Sequence, residues 1–118
     1  MARICKAPCR GGRARGRVDV MSLEDVKKGL AEDSIHLVDV REPHEYAAGH
    51  IPGAINMPLS AFDAQALPSD RPVVLSCQSG RRTLLGLQQA QQAGRADVHT
   101  HFEGSLNAWL QAGEPVER

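Results

Sequence analysis

Cys77 follows an apolar run, Val73-Val74-Leu75-Ser76, and precedes Gln78-Ser79-Gly80-Arg81-Arg82-Thr83, where a helical pattern begins. The segment predicts a buried strand, a tight loop and a helix start. Backbone N–H groups at a helix start have no intrahelical partner and carry partial positive charge. A loop curling into that helix can aim several of them at one point and form an anion nest. Gly80 permits whatever φ the curl demands, and Arg81 and Arg82 add full positive charges. Helix N-termini and neighbouring cations favour the thiolate, which is the nucleophilic form of cysteine. A cysteine at a strand end is often only a small buried apolar residue. Here a glycine, two arginines and a helix start converge on it, which favours a nucleophile.

The elements that must position this loop are legible around it. Val18 to Val20 opens in a β-like pattern, and Ser22 reads as a helix N-cap with Asp25 in a capping-box-like place. Leu23, Val26 and Leu30 then form an apolar stripe at helical spacing. Ile35 to Val40 predicts a strand buried on both faces. Glu42 to Tyr46 starts a short helix with Pro43 in its first turn, where the missing N–H costs nothing, and Gly49 closes it. Ala54 to Met57 is a further strand, and Ser60 to Leu67 a short helix before Pro68. Pro72 to Ser76 is the strand leading to Cys77. Arg81 to Ala93 is helical until Gly94, Asp97 to Phe102 is the last strand, and Leu106 to Ala112 the last helix. Strands alternating with helices predict an α/β fold with a parallel sheet covered on both faces. Ligands of such sheets bind beyond the carboxyl ends of the strands, where Cys77 falls.

The 118 residues suffice for one domain, and a hydrophobic fraction of 42% is that of a globular chain. The net charge of zero conceals an asymmetry. Residues 1–17 hold Arg3, Lys6, Arg10, Arg13, Arg15 and Arg17 with no acid, whereas residues 21–118 hold eight basic and 13 acidic side chains. The expectation is a disordered basic extension over residues 1–16 and one folded domain over residues 17–118. The head has neither the apolar core of a secretory signal nor the serines and amphipathic pattern of a transit peptide. No apolar run approaches the ~20 residues of a membrane span. A soluble, cytoplasmic protein with free thiols is expected, with no membrane or nucleic-acid partner. Cys5 and Cys9 lack a second ligand pair, so no metal site is assigned to them.

Other residues are open to two readings. Asp39, at a strand end, either orients the loop and Arg41 or forms a structural ion pair with Arg41 and Glu45. His99 and His101 alternate along a strand and so share a face, where ordinary surface residues or a satisfied pair are favoured over a metal site for want of further ligands. Trp109 reads as a packing residue.

Three separated motifs carry a resemblance. Asp39-Val40-Arg41-Glu42-Pro43-His44-Glu45-Tyr46-Ala47-Ala48-Gly49-His50-Ile51-Pro52-Gly53-Ala54 is similar to the amino-terminal signature of the rhodanese-like family. Cys77-Gln78-Ser79-Gly80-Arg81-Arg82-Thr83 resembles its active-site loop. Glu103-Gly104-Ser105-Leu106-Asn107-Ala108-Trp109, with Gly113-Glu114-Pro115-Val116, resembles its closing motif. The resemblance covers Val18 to Val116. It implies a three-layer fold with a central parallel sheet of about five strands, flanked by helices. It implies a sulfurtransferase in which Cys77 takes sulfur from thiosulfate or a protein persulfide and passes it to cyanide or a cellular thiol. The amides of Gln78, Ser79, Gly80, Arg81, Arg82 and Thr83 would hold the persulfide, Arg81 or Arg82 would attract the donor, and Asp39 and Arg41 would support the loop. No metal or organic cofactor is implied, and a monomer is expected. His50 would stabilise the turn into Ile51-Pro52-Gly53 rather than act as a base.

Two other functions belong to the same fold. Related phosphatases and arsenate reductases use Cys-x5-Arg, and Cys77 to Arg82 is the shorter Cys-x4-Arg of sulfurtransferases. Non-enzymatic modules that bind partner proteins typically lose the cysteine retained here. Two departures stand out. Glu103-Gly104 occupies a place where the family commonly has two glycines, and Gln78 a place where arginine is frequent.

Overall fold

Val73–Ser76 is buried along its whole length, which requires cover on both faces and places it at the centre of a sheet. In a computed structural model, which describes residues 16–118, that sheet has five strands. They are β1 (Asp19–Met21), β2 (His36–Asp39), β3 (Ile55–Asn56), β4 (Val73–Ser76) and β5 (Thr100–Phe102). All pairings are parallel, in the order β1-β5-β4-β2-β3. The helices are α1 (Leu23–Glu32), α2 (Pro43–Ala48), α3 (Arg82–Gln92) and α4 (Ser105–Gln111).

Side chains alternate across the pleat, so one strand feeds two cores. On one face Val38, Val73 and Leu75 pack with Leu87 and Ala90 of α3. On the other, Leu37, Val74 and Phe102 pack with Val26 of α1 and with Leu106 and Trp109 of α4. Each fully buried aliphatic side chain contributes roughly 1.5–3 kcal/mol. The fold is the expected three-layer α/β arrangement around five parallel strands. Ser22 caps α1 as its residue type predicts, its Oγ accepting from the Asp25 N–H at 3.1 Å.

Two expected elements differ. The helix expected over Ser60 to Leu67 is a pair of 3-10 turns, Leu59–Ala61 and Ala64–Ala66. Asp63 interrupts them by accepting from the Gln65 N–H at 3.0 Å, the local competition that short polar side chains offer a helix. The last strand begins at Thr100, not Asp97. Val98 N donates to Arg95 O, closing a turn that the Arg95 guanidinium clamps through Ala64 O, Leu67 O and Asp97. The expected extension over 1–16, with Cys5 and Cys9, lies outside the described residues except for Gly16. Among the described residues no helix is long and apolar enough to cross a membrane.

The topology selects the site. From β2 the chain proceeds to β3 on one side; from β4 it proceeds to β5 on the other. The connections diverge between β2 and β4, opening a crevice at their carboxyl ends. Asp39 is in register with Ser76 there. The β5–α4 turn flanks the same crevice from the opposite side.

Candidate active site

Cys77 is 1% exposed and follows β4 directly. Its Sγ accepts from the Gly80 N–H at 3.0 Å. The first two loop carbonyls are tied to α4. Cys77 O accepts from Leu106 N and Gln78 O from Asn107 N, both at 3.0 Å, so the free N–H groups at the start of α4 anchor the loop. Gly80 has φ +91°, and a Cβ there would stand 2.0 Å from the Glu103 carbonyl oxygen. Only glycine satisfies both demands.

Thr83 ties the loop to the sheet. Its Oγ1 donates to Gly80 O at 2.8 Å and lies 2.7 Å from His101 Nδ1. The hydroxyl has one hydrogen, and a carbonyl can only accept. His101 Nδ1 therefore carries a hydrogen and donates to Thr83. Burial lowers the His101 pKa from its ordinary value, which keeps the ring neutral near neutral pH. His99 Nδ1 lies 3.1 Å from Asp19 Oδ2, just before β5. Both histidines are satisfied, separately rather than as a pair. Among the described residues no group of three His, Cys, Asp or Glu side chains is placed to hold a metal.

On the β2 side, Asp39 and Arg41 form a buried ion pair. Arg41 Nη2 donates to Asp39 Oδ2 at 3.0 Å, Arg41 Nε to the same carboxylate at 3.1 Å, and Arg41 Nη2 to Gly49 O at 2.7 Å. The remaining nitrogen reaches the loop, with Nη1 donating to Gln78 Oε1 at 3.3 Å. Gln78 in turn donates to Asn107 Oδ1 at 2.7 Å. The glutamine thus bridges β2 and α4 across the mouth of the loop.

The expected inclusion of Glu45 in the Asp39–Arg41 pair is not what forms. Glu45 lies on α2 and accepts from Arg82 Nη1 at 2.7 Å and Nη2 at 3.1 Å. The Arg82 hydrogen bond, foremost, pulls the Glu45 carboxyl down to about 2. The Arg82 pKa is raised in turn, mainly by its hydrogen bond to Glu45. Arg82, in the first turn of α3, is therefore a cation fixed on α2. Arg81 and Ser79 are exposed, and Arg81 forms no ion pair with the other described residues. His50 stacks on Tyr46 with ring centroids 3.7 Å apart, and its Nδ1 lies 2.8 Å from Tyr46 O, which braces the turn. Trp109 is buried and donates through Nε1 to Pro115 O at 2.7 Å.

The family model for the rhodanese-like domain matches residues 22–112, every element from α1 to α4. The chain belongs to the rhodanese-like domain family. An uncharacterized protein of Synechocystis is 44% identical over 87 residues, 72% of this chain and 48% of that protein, so the chain spans about half its length. A sulfurtransferase of Allochromatium vinosum is 32% identical over 84% of this chain and 94% of its own. The human thiosulfate:glutathione sulfurtransferase is 34% identical over 77% of this chain and 92% of its own. Among solved structures, the human single-domain sulfurtransferase matches with a TM-score of 0.67 at 31% identity, over 78% of this chain and 95% of that one.

This rhodanese-like domain departs from the expected place of its missing glycine. The Glu103 side chain is exposed, and its carbonyl is the surface Gly80 packs on. Gly104 has an ordinary helical φ of −68° and is small because a Cβ would approach Ala108 Cβ to 2.4 Å. The residue in the left-handed region is Ser105, at φ +51°. It is fully buried, and its Oγ accepts from the Cys77 N–H at 3.0 Å. Residue type alone does not mark Ser105, although its place within the closing motif is a signal. The Thr83–His101 contact carried none, because it joins residues 18 apart through the sheet.

Proposed function

We propose that the domain is a sulfurtransferase in which Cys77 carries the sulfur. The observation that carries this reading is the Gly80 N–H aimed at Sγ from 3.0 Å, in a loop whose first two carbonyls, Cys77 O and Gln78 O, are held by α4. A sulfur anion at that point meets a backbone donor. Preorganised donors of this kind stabilise charge that develops during reaction.

The Cys77 thiolate attacks the outer sulfur of thiosulfate. The Sγ–S bond forms as the S–S bond of thiosulfate breaks, and sulfite leaves with the electron pair. A thiolate acceptor then attacks the terminal sulfur of the persulfide. Its new S–S bond forms, the persulfide bond breaks, and Cys77 returns as a thiolate. Exposed Arg81 recruits the anionic donor. A cleft of about 300 Å³ beside Gln78, lined by Arg41, Leu106, Leu110 and Arg118, suits a small thiol as acceptor. The name of the human relative supports that acceptor class.

Intact-protein mass spectrometry after thiosulfate treatment tests the reading. The expected result is a gain of about 32 Da, one sulfur atom, that cyanide removes and that Cys77→Ser does not acquire. No gain, or an equal gain on Cys77→Ser, would overturn thiosulfate transfer through Cys77.

A further inference from the structure

Ser105 occupies a backbone conformation that suits glycine, at φ +51°, and is fully buried. Side chains in that region are strained, and such strain persists where the surrounding structure or its function holds it in place. Its hydroxyl is the only hydrogen-bonding group of the residue that glycine could not supply.

That hydroxyl stands among three groups. It donates to Phe102 O at 2.7 Å, accepts from the Cys77 N–H at 3.0 Å, and lies 3.9 Å from Cys77 Sγ. Ser105 is the first residue of α4, while Gly80 reaches the sulfur from the far end of the loop. The two donors approach from different elements, α4 and the segment before α3. The single hydroxyl hydrogen can turn about the Cβ–Oγ bond without moving a heavy atom. A carbonyl holds it while the sulfur is neutral; a sulfur anion competes for it, because hydrogen bonds to charged groups are about twice as strong.

We propose that Ser105 is a second hydrogen-bond donor to the Cys77 sulfur, its hydroxyl turning from Phe102 O to Sγ when the sulfur carries negative charge. The inference rests on the proposed sulfur chemistry for its purpose, but ionisation of the thiol can be measured whether or not sulfur is transferred. No proton leaves Ser105; the hydroxyl stabilises the anion and releases it again when the charge departs.

The pH dependence of iodoacetamide alkylation tests this, followed on the peptide that carries Cys77 so that Cys5 and Cys9 do not contribute. Ser105→Ala removes the hydroxyl and keeps the backbone cost. Ser105→Gly removes the hydroxyl and relieves that cost, so it folds even where Ser105→Ala does not. In each folded variant the alkylation midpoint moves up by about one pH unit, the size expected for one lost bond to an anion. Ser105→Gly does so with a melting temperature at or above that of the parent. An unchanged midpoint in Ser105→Gly overturns the proposal and leaves the hydroxyl a structural tie to Phe102.

Discussion

The three arginines near the sulfur have different surroundings and therefore different duties. Arg41 and Asp39 are both buried, with side chains 4% and 6% exposed. Removing one partner of such a pair leaves an uncompensated charge in the interior, at a cost of about 3–5 kcal/mol. Arg41→Ala is expected to lose that much stability in urea titration, and Arg41→Lys a part of it, because an ammonium lacks the planar fork that holds Asp39 and Gln78 together. Arg82 is held by Glu45 while Arg81 is exposed, so in the proposed reaction Arg81 is the arginine that would meet an anionic donor. Arg81→Ala is expected to raise KM for thiosulfate about two- to fivefold with kcat unchanged, the size of a solvent-exposed charge interaction. Steady-state kinetics at low and high salt check this, since screening should narrow the difference. The residue types alone marked Cys77, Asp39 and Arg41, but not this division. Spacing could not show that Glu45 faces Arg82, because that contact requires α2 and α3 to be packed side by side.

At the scale of elements, the site is an interlock between the β4–α3 loop and the β5–α4 turn. Gly80 fits beneath the Glu103 carbonyl, and the first N–H groups of α4 hold the first two loop carbonyls. Gly80→Ala therefore incurs two costs, a left-handed φ and a backbone collision. Gly94 supplies the comparison: its φ is +96°, but a Cβ there meets nothing within 4 Å. Gly94→Ala is expected to lose only the conformational part, about 1–2 kcal/mol, and to load sulfur normally. Gly80→Ala is expected to lose more stability than this in urea titration and to load sulfur at least about tenfold more slowly, because the displaced amide no longer faces Sγ. The strands and helices that make this interlock follow from hydrophobic period and punctuation. Their ends do not: Asp97 and Val98 carry strand-like sequence yet turn, because Arg95 binds carbonyls 27 to 31 residues away.

Across the whole molecule, lowered pKa values at Glu45, His101 and the exposed Asp70 and Asp97 make the domain sensitive to acid. The Glu45 carboxyl is depressed from 4.5 to about 2 by Arg82. The pair's contribution is complete above 4.5 and is lost as pH falls through about 2; partial exposure of both partners keeps it small. His101 is lowered from 6.5 by burial. Below 6.5 the unfolded chain takes up a proton that the folded ring refuses, so stability again declines with falling pH. Urea midpoints measured from pH 8 to pH 2 should fall in both windows, and Glu45→Gln should lessen the fall in the lower one and leave the upper unchanged. The sequence by itself determined the α/β class, the parallel sheet, the nucleophile candidate and its loop, because hydrophobic period, glycine placement and helix-start chemistry act within a few residues of chain. Only the tertiary structure decided which side chains meet. Strand order β5-β4-β2 brings Ser105, Cys77 and Arg41 to one crevice, and the closing turn places the left-handed backbone at Ser105 rather than at Glu103. Those outcomes depend on contacts between residues distant in the chain, whose geometry no local pattern encodes.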